Sequence, residues 1–162
     1  MTAPTRPEIK TMANLEAAFA GESMAHIKYR YFAKIAREMG DEDTARTFEE
    51  TADQEVMHAF GHLDLLYPKA SMTPAKALQI AIDGETYEYT EMYPTFRKTA
   101  EAEGNAAAVA EMDEQIEESK VHAAQFKATL DKAQKRFAAL AKVEERHAKH
   151  YQAQLDKVKA AA

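Results

Sequence analysis

The sequence has 162 residues, of which 46% are hydrophobic and 30% are charged, and its formal net charge is −6. The length suits one domain, and the negative charge argues against non-specific binding to nucleic acid. Because the sequence contains no cysteine, disulfides, zinc ribbons and thiol catalysis are excluded, whereas a metal bound by Glu and His side chains is still possible.

The apolar segments are too short for a membrane protein. None approaches the roughly 20 residues that span a bilayer, and the first ten residues lack the apolar centre of a signal peptide. We therefore expect a cytoplasmic protein with no membrane partner. Gly and Pro are scarce, with five of each, and the abundant Ala, Glu, Lys, Gln and Met residues favour helices, so the composition predicts an all-α protein.

Apolar side chains recur at three- and four-residue steps, which is the spacing of an amphipathic helix. Residues 1–8 read as a flexible leader with two prolines, and residues 9–162 as one helical domain. The first helix is predicted over about residues 9–39, where Gly40 ends it. The second helix is predicted over about residues 43–66.

A third helix is predicted to start at Thr73 and Pro74, because proline suits the first position of a helix. It extends to about Glu101, and Pro94 inside it should kink it, since its ring removes one backbone hydrogen bond. The remaining stretch, residues 105–162, contains neither Gly nor Pro. It forms either one helix of roughly 54 residues, about 80 Å long, or two helices joined by a turn near residue 131.

Acidic and histidine side chains interrupt the apolar stripe of every predicted helix. They are Glu22 in the first helix, Glu55 and His58 in the second, Glu85 and Glu88 in the third, and Glu144 and His147 in the last. Residues three apart lie on one face of a helix. Because an ionised carboxylate inside a protein is costly unless it is paired or bound to metal, the pattern indicates cations between the helices.

One glutamate on an apolar stripe is more often a surface residue at the edge of the face. The joint pattern, a Glu on each of two helices and Glu-x-x-His on each of two others, is typical of ferritin-like bundles with a carboxylate-bridged metal pair. The predicted fold class is therefore an all-α, ferritin-like four-helix bundle with an extended or additional C-terminal helix. Oxygen-rich ligands suit two iron ions, with manganese or zinc as possible substitutes.

Four segments also resemble the helix signatures of the rubrerythrin family. They are NLEAAFAGES at residues 14–23, TADQEVMHA at 51–59, GETYEYTEMYP at 84–94 and LAKVEERHA at 140–148. The resemblance implies that Glu55 and a fourth-helix glutamate bridge two irons, and that Glu22 binds one iron with Glu88 or His58 as its exchangeable partner. It also implies that Glu85 and a fourth-helix histidine bind the other iron.

The resemblance further implies a peroxidase that reduces hydrogen peroxide to water in oxidative-stress defence. Glu88 and His58 would exchange at the iron during the reaction, and Tyr29 and Tyr93 would hydrogen-bond the ligands. Ferroxidase activity in iron handling and a metal-free structural helical bundle are the alternatives.

Two expectations about partners follow from the same resemblance. Many rubrerythrins carry a C-terminal rubredoxin domain with a four-cysteine iron site, and this cysteine-free sequence resembles the members without one, so we expect an external donor such as a rubredoxin-like protein. The predicted connection between the second and third helices is short, and this suggests a homodimer that exchanges helix pairs between subunits.

The fourth-helix ligands depart from the family pattern. Counting from Gly104 by the family spacing leads to Ser119 and His122, where the bridging glutamate is lost, whereas the intact Glu144 and His147 pair lies 25 residues further along. We favour Glu144 and His147 as ligands, because only they provide the carboxylate, and keep His122 as the alternative.

Overall fold

The computed structural model describes residues 10–160, and within this range the chain is helical with short connections and no strand. Five α-helices follow one another. They are α1 (Thr11–Glu38), α2 (Glu42–Leu66), α3 (Pro74–Tyr87), α4 (Tyr93–Ala102) and α5 (Ala106–Ala160). The predicted all-α class is confirmed, and the predicted ends of the first two helices agree with the structure to within about two residues. The leader, residues 1–8, lies outside the described residues.

The first compact unit extends to Met72 and consists of the hairpin of α1 and α2. Gly40 makes the turn possible, because its φ of +84° is readily adopted only without a Cβ atom. Asp41 then caps α2 by accepting a hydrogen bond from the Thr44 backbone amide at 3.0 Å. Hydrogen bonding by the Thr44 side chain, and then by its backbone amide, lowers the pKa of the Asp41 carboxyl.

Small side chains allow the two helices of the hairpin to approach closely. The buried residues are all alanines: Ala33 and Ala36 on α1, and Ala45, Ala52 and Ala59 on α2. Beside them the Phe48 ring contacts the rings of Tyr29 and Phe32, with centroid distances of 5.7 and 5.6 Å. These contacts fix which faces of α1 and α2 lie opposite each other.

The second compact unit starts at Thr73 and consists of α3, α4 and α5. Thr73 caps α3 by accepting a hydrogen bond from the Lys76 amide at 3.2 Å, and Pro74 occupies the start of the helix as predicted. The Arg97 side chain joins α4 to α5 through Asp113, with 2.6 Å between Nε and Oδ1.

A π-helical turn, Glu88–Met92, separates α3 from α4. The sequence predicted an irregularity at Pro94, and the structure places it just before that residue. The Pro94 ring would collide with the carbonyl group four residues earlier in a regular α-helix. The wider turn, in which the Tyr93 amide donates to the Glu88 carbonyl five residues back, relieves that conflict. Turns of this type are frequent at functional sites.

Helix α5 is a single helix of 55 residues, about 80 Å long, so the alternative with a turn near residue 131 is not formed. Its buried residues are Ser119, Ala123 and Leu130. After Ala133 every described side chain except that of Val143 is exposed. No helix within residues 10–160 is long and apolar enough to cross a membrane.

Candidate metal centre

Three side chains of the first unit converge at the middle of the hairpin. Glu22 projects from α1, and Glu55 and His58 project from successive turns of α2, with potential ligand atoms all within 4.8 Å of one another. His58 Nδ1 lies 2.9 Å from Glu55 Oε2 and 3.9 Å from Glu22 Oε2. Both carboxylates are half-buried and the histidine is exposed. The sequence predicted all three residues, and the structure brings them together.

His26 connects the two helices beside this group. Its Nδ1 lies 2.8 Å from the carbonyl oxygen of Ala52. Because a carbonyl oxygen can only accept, Nδ1 carries the proton in this contact. The bond holds α1 and α2 in register one turn away from Glu22 and Glu55.

The second unit contains another group, built from α3, the π turn and α5. Glu88 Oε2 accepts a hydrogen bond from the Ser119 hydroxyl at 3.0 Å. His122 Nδ1 lies 3.5 Å from Glu85 Oε2. Ser119 is buried and both glutamates are half-buried. The π turn begins at Glu88 itself, so the irregular backbone sets the position of one of the carboxylates.

One carboxylate oxygen in the second unit has no hydrogen-bond partner. Glu85 Oε2 is buried, and no described group donates a hydrogen bond to it. A buried polar atom left without a partner costs about 1–3 kcal/mol, and more when it is charged. A cation at this position would satisfy it, and the His122 imidazole, with Nδ1 3.5 Å away, offers a further ligand atom.

Tyr93 lies near the two glutamates of the second unit, close enough for their charges to affect its phenol. Burial raises the pKa of its phenol, and the negative charges of Glu88, Glu85 and Glu111 raise it further. The phenol therefore keeps its proton and can act as a hydrogen-bond donor. Tyr29, in the first unit, packs its ring on Phe48, and its hydroxyl forms no hydrogen bond with any residue between 10 and 160.

The structure does not bring Glu144 and His147 close to the side chains of the second unit's group. The two side chains are exposed, and His147 Nδ1 lies 3.7 Å from Glu144 Oε2. Helix α5 continues unbroken from His122 to Glu144, a rise of about 33 Å at 1.5 Å per residue. The structure therefore places Ser119 and His122 beside the α3 glutamates. The family spacing from Gly104 had indicated this register, whereas the demand for a carboxylate had led us to prefer the later pair.

The sequence is similar to several known proteins. The rubrerythrin family model matches residues 13–130. Nigerythrin from Nitratidesulfovibrio vulgaris is 40% identical over 111 residues, which cover 61% of this chain and 55% of nigerythrin. A rubrerythrin from Porphyromonas gingivalis is 42% identical over 106 residues, which cover 59% and 53%. Rubrerythrin-2 from Clostridium acetobutylicum is 30% identical over 131 residues, which cover 74% and 71%.

The chain spans about half the length of the first two of these relatives. A solved structure of fully reduced, all-ferrous nigerythrin is 35% identical and covers 83% of this chain and 73% of that chain, with a TM-score of 0.40. The family model covers most of the chain, including every residue of the two side-chain groups. This all-α chain therefore belongs to the rubrerythrin family of ferritin-like proteins.

Proposed function

We propose that this protein is a non-haem di-iron oxidoreductase that reduces hydrogen peroxide to water in oxidative-stress defence. Membership of the rubrerythrin family supports an iron centre and an oxidoreductase role. The observation that carries the proposal is the buried Glu85 Oε2, which has no hydrogen-bond partner, in a group that also contains Glu88 and His122. His122 Nδ1 lies 3.5 Å from this oxygen without a hydrogen bond to it, and a cation bound there would satisfy the carboxylate.

The ligand chemistry fits iron. The first unit supplies Glu22, Glu55 and His58, and the second supplies a matching set of two carboxylates and one imidazole, Glu85, Glu88 and His122. Each set contains two carboxylates, which balance the charge of one divalent ion. Hard oxygen donors with imidazole suit iron or manganese, and two irons are the cofactor that we propose.

We propose His122 as the fourth-helix ligand. It is the imidazole that lies against Glu85, whereas Glu144 and His147 are exposed on a distant part of α5. We therefore do not propose Glu144 and His147 as metal ligands. The Ser119 hydroxyl stands where the family pattern implies a bridging carboxylate. The proposed centre therefore has one carboxylate fewer than that pattern.

The side chains around the centre have separate roles in the proposal. Bound iron would supply the two electrons that cleave the O–O bond of peroxide. Tyr93, which retains its proton because its pKa is raised, would donate a hydrogen bond to a carboxylate and keep it oriented. Ser119 holds Glu88 through its hydroxyl. The family resemblance supports a similar role for the Tyr29 hydroxyl toward a ligand when metal is bound, and His58 is held by Glu55.

Partners are part of the same proposal. We propose that electrons arrive from a rubredoxin-like donor outside these 162 residues, because they contain no cysteine to bind a rubredoxin-type iron. The hairpin of α1 and α2 exposes large apolar side chains, among them Ile27, Met57 and Phe60. We propose that a second copy of the chain covers them in a helix-exchanged homodimer. A cytoplasmic location stays a prediction.

The reaction is tested with protein that has been loaded with ferrous iron without oxygen. Stopped-flow absorbance should show that peroxide oxidises the iron faster than dioxygen does. Faster oxidation by dioxygen would contradict the peroxidase proposal and favour a ferroxidase, in which iron is the substrate. Glu55→Ala protein treated in the same way should show neither reaction, because it lacks a ligand of the first unit.

A further inference from the structure

The last part of α5, residues 131–160, has a surface that the fold leaves uncovered; we call it the α5 extension. It begins where the family match ends, at residue 130, just after Leu130, the last buried residue of the helix. Large apolar side chains nevertheless continue along it. Those exposed are Phe137, Leu140, Tyr151, Leu155 and Val158.

These side chains follow the spacing of a coiled coil. Phe137, Leu140, Glu144, His147 and Tyr151 are separated by alternating steps of three and four residues, so they form one seam along the helix. The pattern continues through Gln154, with Leu155 beside it, to Val158. Glu144 and His147 thus occupy the two central positions of an otherwise largely apolar seam.

We propose that the α5 extension pairs antiparallel with the α5 extension of a second copy of this chain. In an antiparallel coiled coil, each first seam position of one helix faces the second seam position of the other. In the register centred between residues 145 and 146, Glu144 faces the partner's His147, and by symmetry His147 faces the partner's Glu144. Leu140 then lies against the partner's Tyr151 in two further layers.

Charge and size favour this register over a parallel pair. Parallel helices in register would bring Glu144 against the partner's Glu144, and the two negative charges would repel each other. The antiparallel register instead places Glu144 opposite the partner's His147, which can donate a hydrogen bond to the carboxylate or pair with it as a cation. Ala141 would face the partner's Ala148 beside the seam, and these small side chains allow close approach. Arg136 and the partner's Lys157 would meet at the ends, where solvent and salt screen them.

The seam also offers enough area for a stable pair. An aromatic side chain buries about 150–250 Å², so Phe137 and Tyr151 from two copies bury on the order of 600 Å². Leu140, Leu155 and Val158 from each copy bring the total past the roughly 1,000 Å² expected of a specific interface. Both aromatic rings are now about 70% exposed, at 69% and 71%.

Cross-linking between single-cysteine variants tests the pairing, because the natural sequence has no cysteine. Full-length Leu140→Cys and Tyr151→Cys proteins are prepared separately and as a mixture refolded together, then treated with a short bismaleimide. The antiparallel register predicts a cross-linked pair in the mixture and none in either variant alone, since identical positions would be about 16 Å apart along the axis. Unchanged circular dichroism of each variant confirms that the helices are intact.

A matched pair of variants serves as the control. In the proposed register, Lys142 of one copy is level with Lys149 of the other along the helix axis, as Leu140 is with Tyr151. Lys142 and Lys149 lie on the outer face of the helix, however, so Lys142→Cys and Lys149→Cys place the cysteines away from the partner. They should give no cross-link above background. Cross-linking of Leu140→Cys with itself would show a parallel pair and overturn the proposal. A cross-linking yield in the mixture no higher than in the lysine control would overturn the proposal as well, and would indicate that a different protein covers the seam.

The central layer has its own test. Glu144→Lys should weaken pairing by at least about tenfold in sedimentation measurements, because it places a cation against the partner's His147. The exchanged variant, Glu144→His with His147→Glu, should restore pairing, and failure to restore it contradicts the register. Iron-free protein should give the same results, so the outcome is independent of the proposed peroxidase activity.

Discussion

The hydroxyl of Ser119 on α5 donates a hydrogen bond of 3.0 Å to Oε2 of Glu88 at the start of the π turn. Ser119 is only 3% exposed, so this bond forms away from water. It places a neutral donor where the family pattern would place another carboxylate. The metal site that we propose for the second unit would therefore have one hydrogen bond more and one negative charge fewer than the family pattern implies.

Two substitutions at Ser119 separate these effects. Ser119→Ala removes a hydrogen bond to a carboxylate and should destabilise metal-free protein by about 1–3 kcal/mol in urea unfolding. Ser119→Glu adds a carboxylate and should bind Mn²⁺ more tightly than the natural protein in calorimetric titration. Equal or weaker Mn²⁺ binding by Ser119→Glu would mean that this position does not face the metal.

Glu55 is central to the first unit, since His58 lies 2.9 Å from it. Glu55→Ala should remove most of the bound iron, because the remaining carboxylate and imidazole offer too few ligands. Elemental analysis after anaerobic iron loading measures this loss. Glu50→Ala on the same helix is the matched control, because Glu50 is exposed, and it should retain the metal content of the natural protein. Equal metal in the two variants would show that Glu55 is not a ligand, and the absence of metal from the natural protein would point to a metal-free structural bundle.

The fourth-helix ligand is tested by comparing two histidines of α5. His122→Ala should lower the iron content, because His122 lies beside Glu85, whereas His147→Ala should leave it unchanged. The same elemental analysis reads out both variants. Iron lost from His147→Ala and retained by His122→Ala would reverse the assignment.

Acid should weaken the hairpin of α1 and α2 through Arg37, whose guanidinium donates hydrogen bonds to Glu42 and Glu49. These bonds lower the pKa of both carboxyl groups from the usual 4.5. A lowered pKa stabilises the fold above pH 4.5, and this contribution is lost as pH falls through the lowered values. The groups are exposed, so the effect should be small and should shrink with added salt.

Urea unfolding as a function of pH checks this account. Arg37→Gln should lower the urea midpoint at pH 7 and flatten its decline below pH 4.5. Lys34→Gln on the same helix is the control, because among residues 10–160 the ion pair of Lys34 is a long one with Glu38, at 3.9 Å. An acid decline that is identical in both variants would show that Arg37 does not hold these carboxyl groups in solution.

Much of the fold could be predicted from the sequence because it is encoded locally. Apolar periodicity located the helices, Thr73 and Pro74 marked the start of α3, and Pro94 indicated the break that the π turn provides. The three residues of the first unit were also predicted, since Glu55 and His58 are one turn apart on one helix and Glu22 interrupts the stripe of its own helix.

The choice among the residues of α5 could not be settled in the same way. Both Ser119-His122 and Glu144-His147 have the three-residue spacing, and periodicity does not reveal which turn of a long helix lies against α3. Tertiary packing decides this, and it buries Ser119. The requirement for a carboxylate had favoured Glu144, but a glutamate in a seam has another use when a second helix supplies its partner.

Anomalous diffraction at the iron absorption edge, from crystals of iron-loaded protein, tests the central claim most directly. We predict two iron peaks for each chain, with Glu22, Glu55 and His58 from one unit and Glu85, Glu88 and His122 from the other among the ligands. The absence of iron from these groups, or iron bound only at Glu144 and His147, would contradict the proposed metal centre.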